Sequence, residues 1–360
     1  MEPDSLVQGR PGRVTVEARR LAGAQNTTPQ RLDVHLIWTS SEGDRVEFGP
    51  SALTIAAGSP TGRAAVWLPE EAMVPGAALR VVLRDAEGEP KPAEGAPAVL
   101  PSWDDHPLAL PVAPGDLVLD MKLIPVELPL HGCDAPILSE ERLQRWHDAL
   151  LSRLPVRAVN LSVAPTFVWP GQMQTEQQQL ALMEAVRERR LQDPAPFRLY
   201  AAVYEQCVYC TPDCGTGVGS FGDGTKASQV LLLAIQPDAS EAFTAYILVH
   251  EVGHNFGRSH TWCPGMVGGP RPEYPAAQGL LDAMGLDILS GEEYLPEDTY
   301  DFMSYCRPTW TSGFTWRGIF EYARAYMVAA GAQRTAPRRR TDLGKPPVAV
   351  CSAGNPVRLE

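Results

Sequence analysis

The length, composition and charge of the chain exclude several classes of protein. With 360 residues, 44% of them hydrophobic, it exceeds the usual size of one domain and can bury two cores. The chain has 31 Lys and Arg residues against 43 Asp and Glu residues, which gives a net charge of −12, and the sequence contains no long block of basic residues. A nucleic-acid partner is therefore not expected. No apolar run approaches the roughly 18 residues of a transmembrane helix, so no membrane-spanning segment is expected. The first residues, MEPDSLVQGRPGR, lack the layout of a signal peptide.

The first part of the chain, residues 1–117, is predicted to be an antiparallel β-sandwich. It is rich in Gly and Pro, and its short apolar runs alternate with polar residues without a helical stripe. Turn signals such as SEGD, VPGA and AEGEP separate the runs, as is typical of a sandwich. The predicted strands are 13–21, 31–40, 51–58, 62–69 and 78–86.

The second part, residues 118–360, is predicted to alternate strands and helices in an α/β layer with a mixed sheet. Ser139 and Thr175 are the expected N-caps of its first two helices, and residues 263–301 are rich in Pro and Gly and expected to be irregular. The chain as a whole is therefore expected to be of mixed α+β class. The predicted strands are 117–128, 156–164, 197–204 and 229–235, and the predicted helices are 139–154, 175–191, 240–256 and 315–332.

The stretch HEVGHNFGRSH, residues 250–260, has the spacing of a metal site. Residues four apart lie on one face of a helix, so His250 and His254 can reach one ion. Glu251 points in a neighbouring direction, where a general base would contact a water on that ion. Gly257 allows the backbone to leave the helix, and His260 can then return as a third ligand. Three neutral nitrogens suit Zn²⁺ and leave one coordination position open.

An ordinary polar helix face is the alternative interpretation of this stretch. The four residues before it, YILV at 246–249, are apolar, which predicts that the helix is buried. Unpaired polar side chains would be costly in a buried helix. The spacing of the glycine and the third histidine further favours the metal site over an exposed polar face.

The pattern HExxHxxGxxH is the signature of the metzincin zinc endopeptidases, and the chain resembles that family in a second motif. Metzincins carry a methionine turn beneath the zinc, downstream of the third histidine, and DFMSYC at 301–306 fits it. By this resemblance Met303 forms an apolar floor under the histidines, and Tyr305 ligates the zinc or stabilises the oxyanion. Over about 118–330 the chain looks most similar to bacterial secreted metzincins that cleave mucins and O-glycoproteins.

The resemblance implies a function as well as a fold. It implies a metzincin-type peptidase domain with an active-site helix and one catalytic Zn²⁺, in a protein that is secreted or extracytoplasmic. The zinc would lower the pKa of its water toward about 7, and Glu251 would accept the proton as that water attacks a peptide carbonyl of a protein or glycoprotein. The strand at 229–235 would be the sheet edge on which the extended substrate lies. The alternative is a non-catalytic, zinc-containing module that binds a protein or glycoprotein, although such a module needs no general base.

Two cysteines are expected to come close together at the candidate site. Cys263 and Cys306 each lie three residues beyond a zinc-site element, namely His260 and Met303. If both elements meet at the metal, the two cysteines could form a disulfide.

Two further groups of residues carry weaker signals. The cluster CVYCTPDC, with Cys207, Cys210 and Cys214, lacks a nearby histidine and a second CxxC, which favours local disulfides or free thiols over a second metal site. A group of acidic residues lacks the fixed spacing of a calcium loop, so a solvated loop is expected and Ca²⁺ binding is the unsupported alternative. These residues are Asp282, Asp287, Glu292, Glu293, Glu297 and Asp298.

Overall fold

The computed structural model describes residues 6–19, 29–85, 99–102, 104–113, 117–206, 215–264, 273–328 and 357–359. The chain divides into two units. One comprises Met1–Gly115, Leu286–Glu293 and Arg340–Glu360, and the other comprises Asp116–Gly285 and Tyr294–Arg339. Both strands and helices are present, in several sheets, so the predicted α+β class is confirmed.

The first unit is built from strands whose buried residues form one hydrophobic core. Val16, Leu36, Leu53, Val66 and Val81, from five different strands, belong to this core. The alternation of buried and exposed positions along these strands is the expected result of a period of two residues. The strands are β1 (Leu6–Val7), β2 (Gly12–Arg19), β3 (Gln30–Thr39), β4 (Arg45–Ile55), β5 (Thr61–Leu68), β6 (Ala78–Arg84), β7 (Val99–Leu100), β8 (Leu108–Ala109) and β9 (Val112–Ala113).

Strand β4 begins six residues before the start of the strand predicted at 51–58. Its first residues, from Arg45 to Phe48, pair antiparallel with the end of β3, and a register shift occurs between Val34 and Leu36. Most of β4 is exposed, so its first half lacks the alternating apolar pattern by which a strand is recognised. Backbone pairing with β3, the packing of Phe48 against the core and the ion pair of Glu47 with Arg84 therefore extend this edge strand.

The four α-helices of the described residues lie in the rest of the chain. They are α1 (Glu140–Arg153), α2 (Glu176–Gln192), α3 (Glu241–Asn255) and α4 (Gly313–Ala323). The remaining strands are β10 (Val118–Glu127), β11 (Ala158–Val163), β12 (Phe167–Val168), β13 (Leu199–Glu205), β14 (Gly217–Gly219), β15 (Val230–Ile235), β16 (Gly285–Leu286), β17 (Glu293–Tyr294), β18 (Tyr300–Asp301), β19 (Thr309–Trp310) and β20 (Val357–Leu359). Strand β20 belongs to the first unit, where it forms a three-stranded sheet in the order β20-β2-β5. The five-stranded sheet of the same unit has the order β4-β3-β6-β7, with β8 also paired to β6.

The second unit is organised around one mixed sheet. Its order is β11-β10-β13-β15-β14, with β12 also on β10, and all pairs are parallel except that of β14 with β15. Every residue of β15 is buried, as expected for a strand covered on both faces. Helix α2 packs on the face that carries Tyr200, Ala202 and Leu232, whereas α3 lies along β14 and β15 and against α1.

The prediction that the strand at 229–235 forms the sheet edge is wrong. Gly217, Val218 and Gly219 pair antiparallel with Leu233, Leu232 and Leu231, so β14 covers β15 on the side of α3. Three of the six residues in GTGVGS are glycines, which have low strand propensity, so the stretch gave no strand signal. The edge of this sheet is therefore a glycine-rich strand.

The helix ends follow the capping residues. The side chains of Ser139 and Thr175 accept hydrogen bonds from backbone N–H groups three residues later, which confirms both predicted N-caps. Helix α4 begins at Gly313, two residues earlier than predicted, because Ser312 is its N-cap. A π-helical turn, Arg324–Val328, follows α4, and the end of the predicted helix, 329–332, lies outside the described residues. No helix in the described part of the chain is long and apolar enough to cross a membrane.

Candidate metal centre

Three histidines converge beside the C-terminal end of α3. Their ligand nitrogens all lie within 4.8 Å of one another. His250 and His254 project from the same face of α3, since they are four residues apart. Gly257, with a φ of 72°, ends the helix in the left-handed conformation that the sequence predicted. The chain then turns back, and His260 Nε2 comes to lie 3.1 Å from His254 Nε2.

Hydrogen bonds to the backbone orient two of the imidazole rings. His250 Nδ1 lies 2.9 Å from the carbonyl oxygen of Phe302, and His254 Nδ1 lies 2.7 Å from that of Arg258. A carbonyl oxygen can only accept, so each Nδ1 carries the proton and each Nε2 presents its lone pair. Burial, with the neighbouring imidazoles, lowers the pKa of His250 to about 3 and that of His254 to about 4, so both are neutral at pH 7.

These residues fit a bound metal ion. At Zn–N distances of about 2.0–2.1 Å, two nitrogens of a tetrahedral site would be about 3.4 Å apart. The 3.1 Å between the Nε2 atoms of His254 and His260 is close to that separation. Neutral imidazoles oriented through Nδ1 are the form in which histidine binds divalent transition metals. The triad can therefore hold a metal ion.

Glu251 is buried between α3 and strand β14. Its exposure is 6%, and the backbone N–H of Gly219 donates a hydrogen bond to its carboxylate. Burial raises the pKa of Glu251 to about 8, and the Gly219 N–H partly opposes this rise. A cation held by the adjacent histidines would lower this pKa again, because it favours the ionised carboxylate.

The two glycines of β14 allow this strand to approach Glu251 closely. A Cβ atom at Gly219 would lie 2.7 Å from the carbonyl oxygen of Glu251 and 2.9 Å from its Oε2. A Cβ atom at Gly217 would overlap Oε1 of the same carboxylate and the side chain of Ile247. Glycines two residues apart on one face of a strand are thus required by the contact with α3. Their alternation in GTGVGS is the sequence signal that could have revealed this contact.

The turn that follows β18 lies against α3. Met303 is fully buried, and its Sδ atom lies so close to Gly253 that no Cβ would fit there. Asp301, also fully buried, accepts hydrogen bonds from the backbone N–H of Met303 at 2.8 Å and of Ser312 at 3.0 Å. Burial raises the pKa of Asp301, although these hydrogen bonds oppose the shift. The turn is therefore fixed to the start of α4 by one carboxylate.

Tyr305 lies next to the three histidines. Its hydroxyl oxygen is 2.8 Å from Nε2 of His260, and its ring centroid is 4.6 Å from that of His260. Burial raises the pKa of Tyr305, although the side chain is 54% exposed, so the phenol remains protonated at pH 7. The next residue, Cys306, forms a disulfide with Cys263, with their Cα atoms 5.5 Å apart. The bond links the chain after His260 to the chain after Met303.

Two polar residues of α3 that the sequence did not single out also support the site. Asn255 is fully buried, and its Nδ2, which has two hydrogens to donate, lies 2.9 Å from three backbone carbonyl oxygens, including that of Val230 in β15. Tyr246 donates from its hydroxyl to the carbonyl oxygen of Ser304, at 2.5 Å. Both are polar residues in a largely buried helix, which is the signal that could have identified them.

The structure thus brings the residues predicted for the site into one place, while two weaker signals lie elsewhere. Within the described ranges, the three histidines are the one cluster of three or more side chains able to hold a metal. Cys207, Cys210 and Cys214 lie outside the described residues. Asp282, considered above as a calcium ligand, accepts hydrogen bonds from the N–H groups of Gly313 and Phe314 at the start of α4.

The fold and site together define a mixed α+β protein with a three-histidine site that can hold a metal ion. No family model matches the chain, and neither does any curated protein. Among 73 matching chains of solved structures is the crystal structure of metalloproteinase-II from Bacteroides fragilis, with 13% identity and a TM-score of 0.29. The match covers 41% of this chain and 44% of that one, so the chain spans less than half of that protein.

Proposed function

We propose that the chain is a zinc endopeptidase of the metzincin type that hydrolyses peptide bonds of proteins or glycoproteins. The observation that carries the proposal is the position of a buried carboxylate, Glu251, next to a cluster of three histidines. A structural zinc site is closed by a fourth protein ligand, whereas a catalytic site keeps one position for water or substrate. A general base beside an open metal site suits hydrolysis better than binding alone.

The residues of the site have distinct roles in the proposed reaction. A Zn²⁺ held by His250, His254 and His260 would supply Lewis acidity, lowering the pKa of a water and polarising the substrate carbonyl. Glu251 accepts the proton of the attacking water and returns it to the leaving amine. The hydrogen bond from Gly219 N–H holds the Glu251 carboxylate in place for both transfers. Tyr305, whose hydroxyl adjoins His260, donates a hydrogen bond to the developing oxyanion.

Strand β14 is the proposed docking edge for the substrate. It is the last strand of the sheet on the side of α3, and it lies against Glu251. An extended peptide that pairs with the edge of β14 on which no described strand lies would pass the three histidines. Pairing of this kind uses hydrogen bonds of the peptide backbone, so it can position substrate peptides of many different sequences.

An extracytoplasmic location is part of the proposal. The disulfide between Cys263 and Cys306 adjoins both His260 and Met303. Disulfides of this structural kind persist in oxidising compartments and are rare in the cytosol. A peptidase whose site depends on this bond would be suited to work outside the cytosol.

The proposal is tested by replacing the general base while keeping the metal. Glu251→Ala and Glu251→Gln should retain close to one zinc per chain by atomic absorption, while hydrolysis of denatured protein or mucin falls by orders of magnitude. Glu188→Gln, which changes an exposed glutamate of α2, is the matched control and should hydrolyse like the unmodified protein. Undiminished hydrolysis by either Glu251 variant would refute this mechanism.

A further inference from the structure

Arg307 lies on an aromatic wall formed by α3 beside the three histidines. Its guanidinium carbon is 4.3 Å from the ring centroid of Phe243 and 4.4 Å from that of Tyr246. Both aromatic residues share the helix face of His250, since they precede it by seven and four residues. The cation therefore occupies the same side of α3 as the candidate metal.

The distance from Arg307 to the site suits a substrate side chain. The ring centroids of Tyr246 and His250 are 6.0 Å apart, so the guanidinium lies within about 10 Å of the His250 ring. An extended peptide advances roughly 3.3 Å per residue, so this span corresponds to about three residues. A substrate side chain or glycan within about three residues of the cleaved bond would therefore reach Arg307.

The segment that carries Arg307 is fixed to the site at several points. Tyr246 donates a hydrogen bond to Ser304, and Cys306 is bonded to Cys263. Tyr305, two residues before Arg307, contacts His260. The stacked aromatic rings further restrict the Arg307 side chain, so a ligand would not have to order a free arginine.

The positive charge of Arg307 has no carboxylate partner among the described residues. It is exposed, and among the described residues its contacts are the two aromatic rings and it forms no ion pair. The chain as a whole carries a net charge of −12, so its surface would otherwise repel an acidic substrate. A guanidinium on a hydrophobic wall is well suited to bind a carboxylate through two parallel hydrogen bonds.

We propose that Arg307 is a specificity-determining residue that binds a carboxylate of the substrate within about three residues of the cleaved bond. The inference rests on the proposed peptidase function. The carboxylate belongs either to an acidic side chain or to an acidic sugar of a glycoprotein. In both cases the Arg307 guanidinium donates to the two carboxylate oxygens while its face stays on Phe243 and Tyr246.

The test measures cleavage and binding separately. A peptide series carries a single Glu, moved stepwise across the three positions on each side of the cleaved bond, and each member has a Gln counterpart. The ratio of kcat/KM for the Glu and Gln peptides should reach about tenfold at one position, with the difference mainly in KM. The Kd of the same peptides for the Glu251→Gln protein gives the binding preference without turnover.

Variants of Arg307 then identify the source of the preference. Arg307→Gln should bring the Glu/Gln ratio to about one, Arg307→Lys should retain part of it, and Arg307→Glu should favour a Lys peptide instead. Arg189→Gln is the matched control, since Arg189 is an exposed arginine that stacks on Phe167, away from α3. It should preserve the ratio of the unmodified protein. Zinc content and melting temperature verify that each variant is folded.

The outcomes separate this inference from the proposed function. A Glu/Gln ratio of one in the unmodified protein, or a ratio unchanged by Arg307→Gln, would overturn the role of Arg307 even if every peptide is cleaved. Absence of cleavage in the zinc-loaded protein would refute the peptidase, while the Kd values would still test carboxylate binding. A sialylated O-glycopeptide and its desialylated form distinguish the two sources, because an Arg307-dependent preference for the former assigns the carboxylate to a sugar.

Discussion

The Nδ1 atom of His250 lies 2.9 Å from the carbonyl oxygen of Phe302, the residue immediately before Met303. The orientation of a candidate metal ligand on α3 therefore depends on a turn more than fifty residues later in the chain. Asp301 holds this turn in place, because it accepts hydrogen bonds from the backbone N–H groups of Met303 and Ser312. Hydrogen bonds to ligand histidines tune both ring orientation and basicity.

Asp301→Asn should weaken metal binding without removing a ligand. An amide has one acceptor oxygen instead of two, so one of the N–H groups of Met303 and Ser312 loses its partner in a fully buried position. We expect a loss of about 1–3 kcal/mol in the free energy of unfolding. The metal affinity, measured against a competing chelator, should fall by roughly tenfold or more.

Asp282→Asn is the control for this substitution. Asp282 also accepts hydrogen bonds from the start of α4, through Gly313 and Phe314, but it does not contact Met303. It should lower stability while leaving the metal affinity near that of the unmodified protein. Equal metal affinities for the two variants would contradict a role of Asp301 in positioning His250.

Removal of the metal should lower the melting temperature as well as abolish hydrolysis. A ligand that binds the folded state only stabilises it by about 2.7 kcal/mol when present at a hundred times its Kd. Dialysis against a chelator should therefore shift the calorimetric transition downward, and added Zn²⁺ should restore it. His254→Ala should abolish the response to zinc, since it removes one of the three nitrogens that could ligate the ion. A transition that zinc does not shift would count against a bound ion.

Gly219→Ala should impair activity through Glu251, the proposed general base. The added methyl group would lie 2.9 Å from Oε2 of Glu251 and 3.0 Å from Cβ of His254, so strand or helix must move. Overpacking of this kind costs about 1–3 kcal/mol in stability. We expect kcat/KM to fall at least tenfold, roughly 1.4 kcal/mol in activation free energy.

Val218→Ala is the neighbouring control for the glycine substitution. Successive side chains of a strand point to opposite faces, so Val218 packs away from Glu251 and against the core that includes Leu232. This variant should lose stability with little change in kcat/KM for a peptide substrate. If Gly219→Ala kept full activity, the close approach of β14 to Glu251 would have no role in positioning the base.

The local features of the site were readable in the sequence, whereas its supports came from distant parts of the chain. The spacing of His250, His254 and His260 follows from helix geometry, and Gly257 marks the helix end by its backbone conformation. The carbonyl of Phe302 gave no signal, because any residue supplies one. Strand β14 was missed because its two glycines have low strand propensity. They are needed there because the strand lies too close to Glu251 for a Cβ atom, and this contact could not be seen in the sequence.

Acid should destabilise the second unit through Asp193. This aspartate accepts hydrogen bonds from the Tyr200 hydroxyl at 2.5 Å, the Ala195 N–H at 2.8 Å and Arg198 Nη1 at 3.0 Å. Burial alone would raise the pKa of Asp193, yet the bonds from Tyr200, Ala195 and Arg198 prevail and hold it well below its usual range. The stabilisation is therefore complete above the unfolded-state pKa of about 3.9 and is lost as the pH falls below it.

Urea unfolding at pH 7 and pH 3 tests this dependence. Asp193→Asn should cost about 1–3 kcal/mol at pH 7 and should flatten the loss of stability between the two pH values. Asp238→Asn changes an exposed aspartate and should preserve the steeper loss of the unmodified protein. Identical pH dependence in all three proteins would mean that the Asp193 contacts do not contribute to acid stability.

The disulfide between Cys263 and Cys306 closes a covalent ring whose ends are 43 residues apart in sequence. Both ends of the ring lie at the candidate metal centre, through His260 on one side and Tyr305 on the other. The entropic cost of lengthening a closed loop grows only slowly with its length. The position of His260 relative to Tyr305 is therefore set by one covalent bond and not by the length of the chain between the two cysteines.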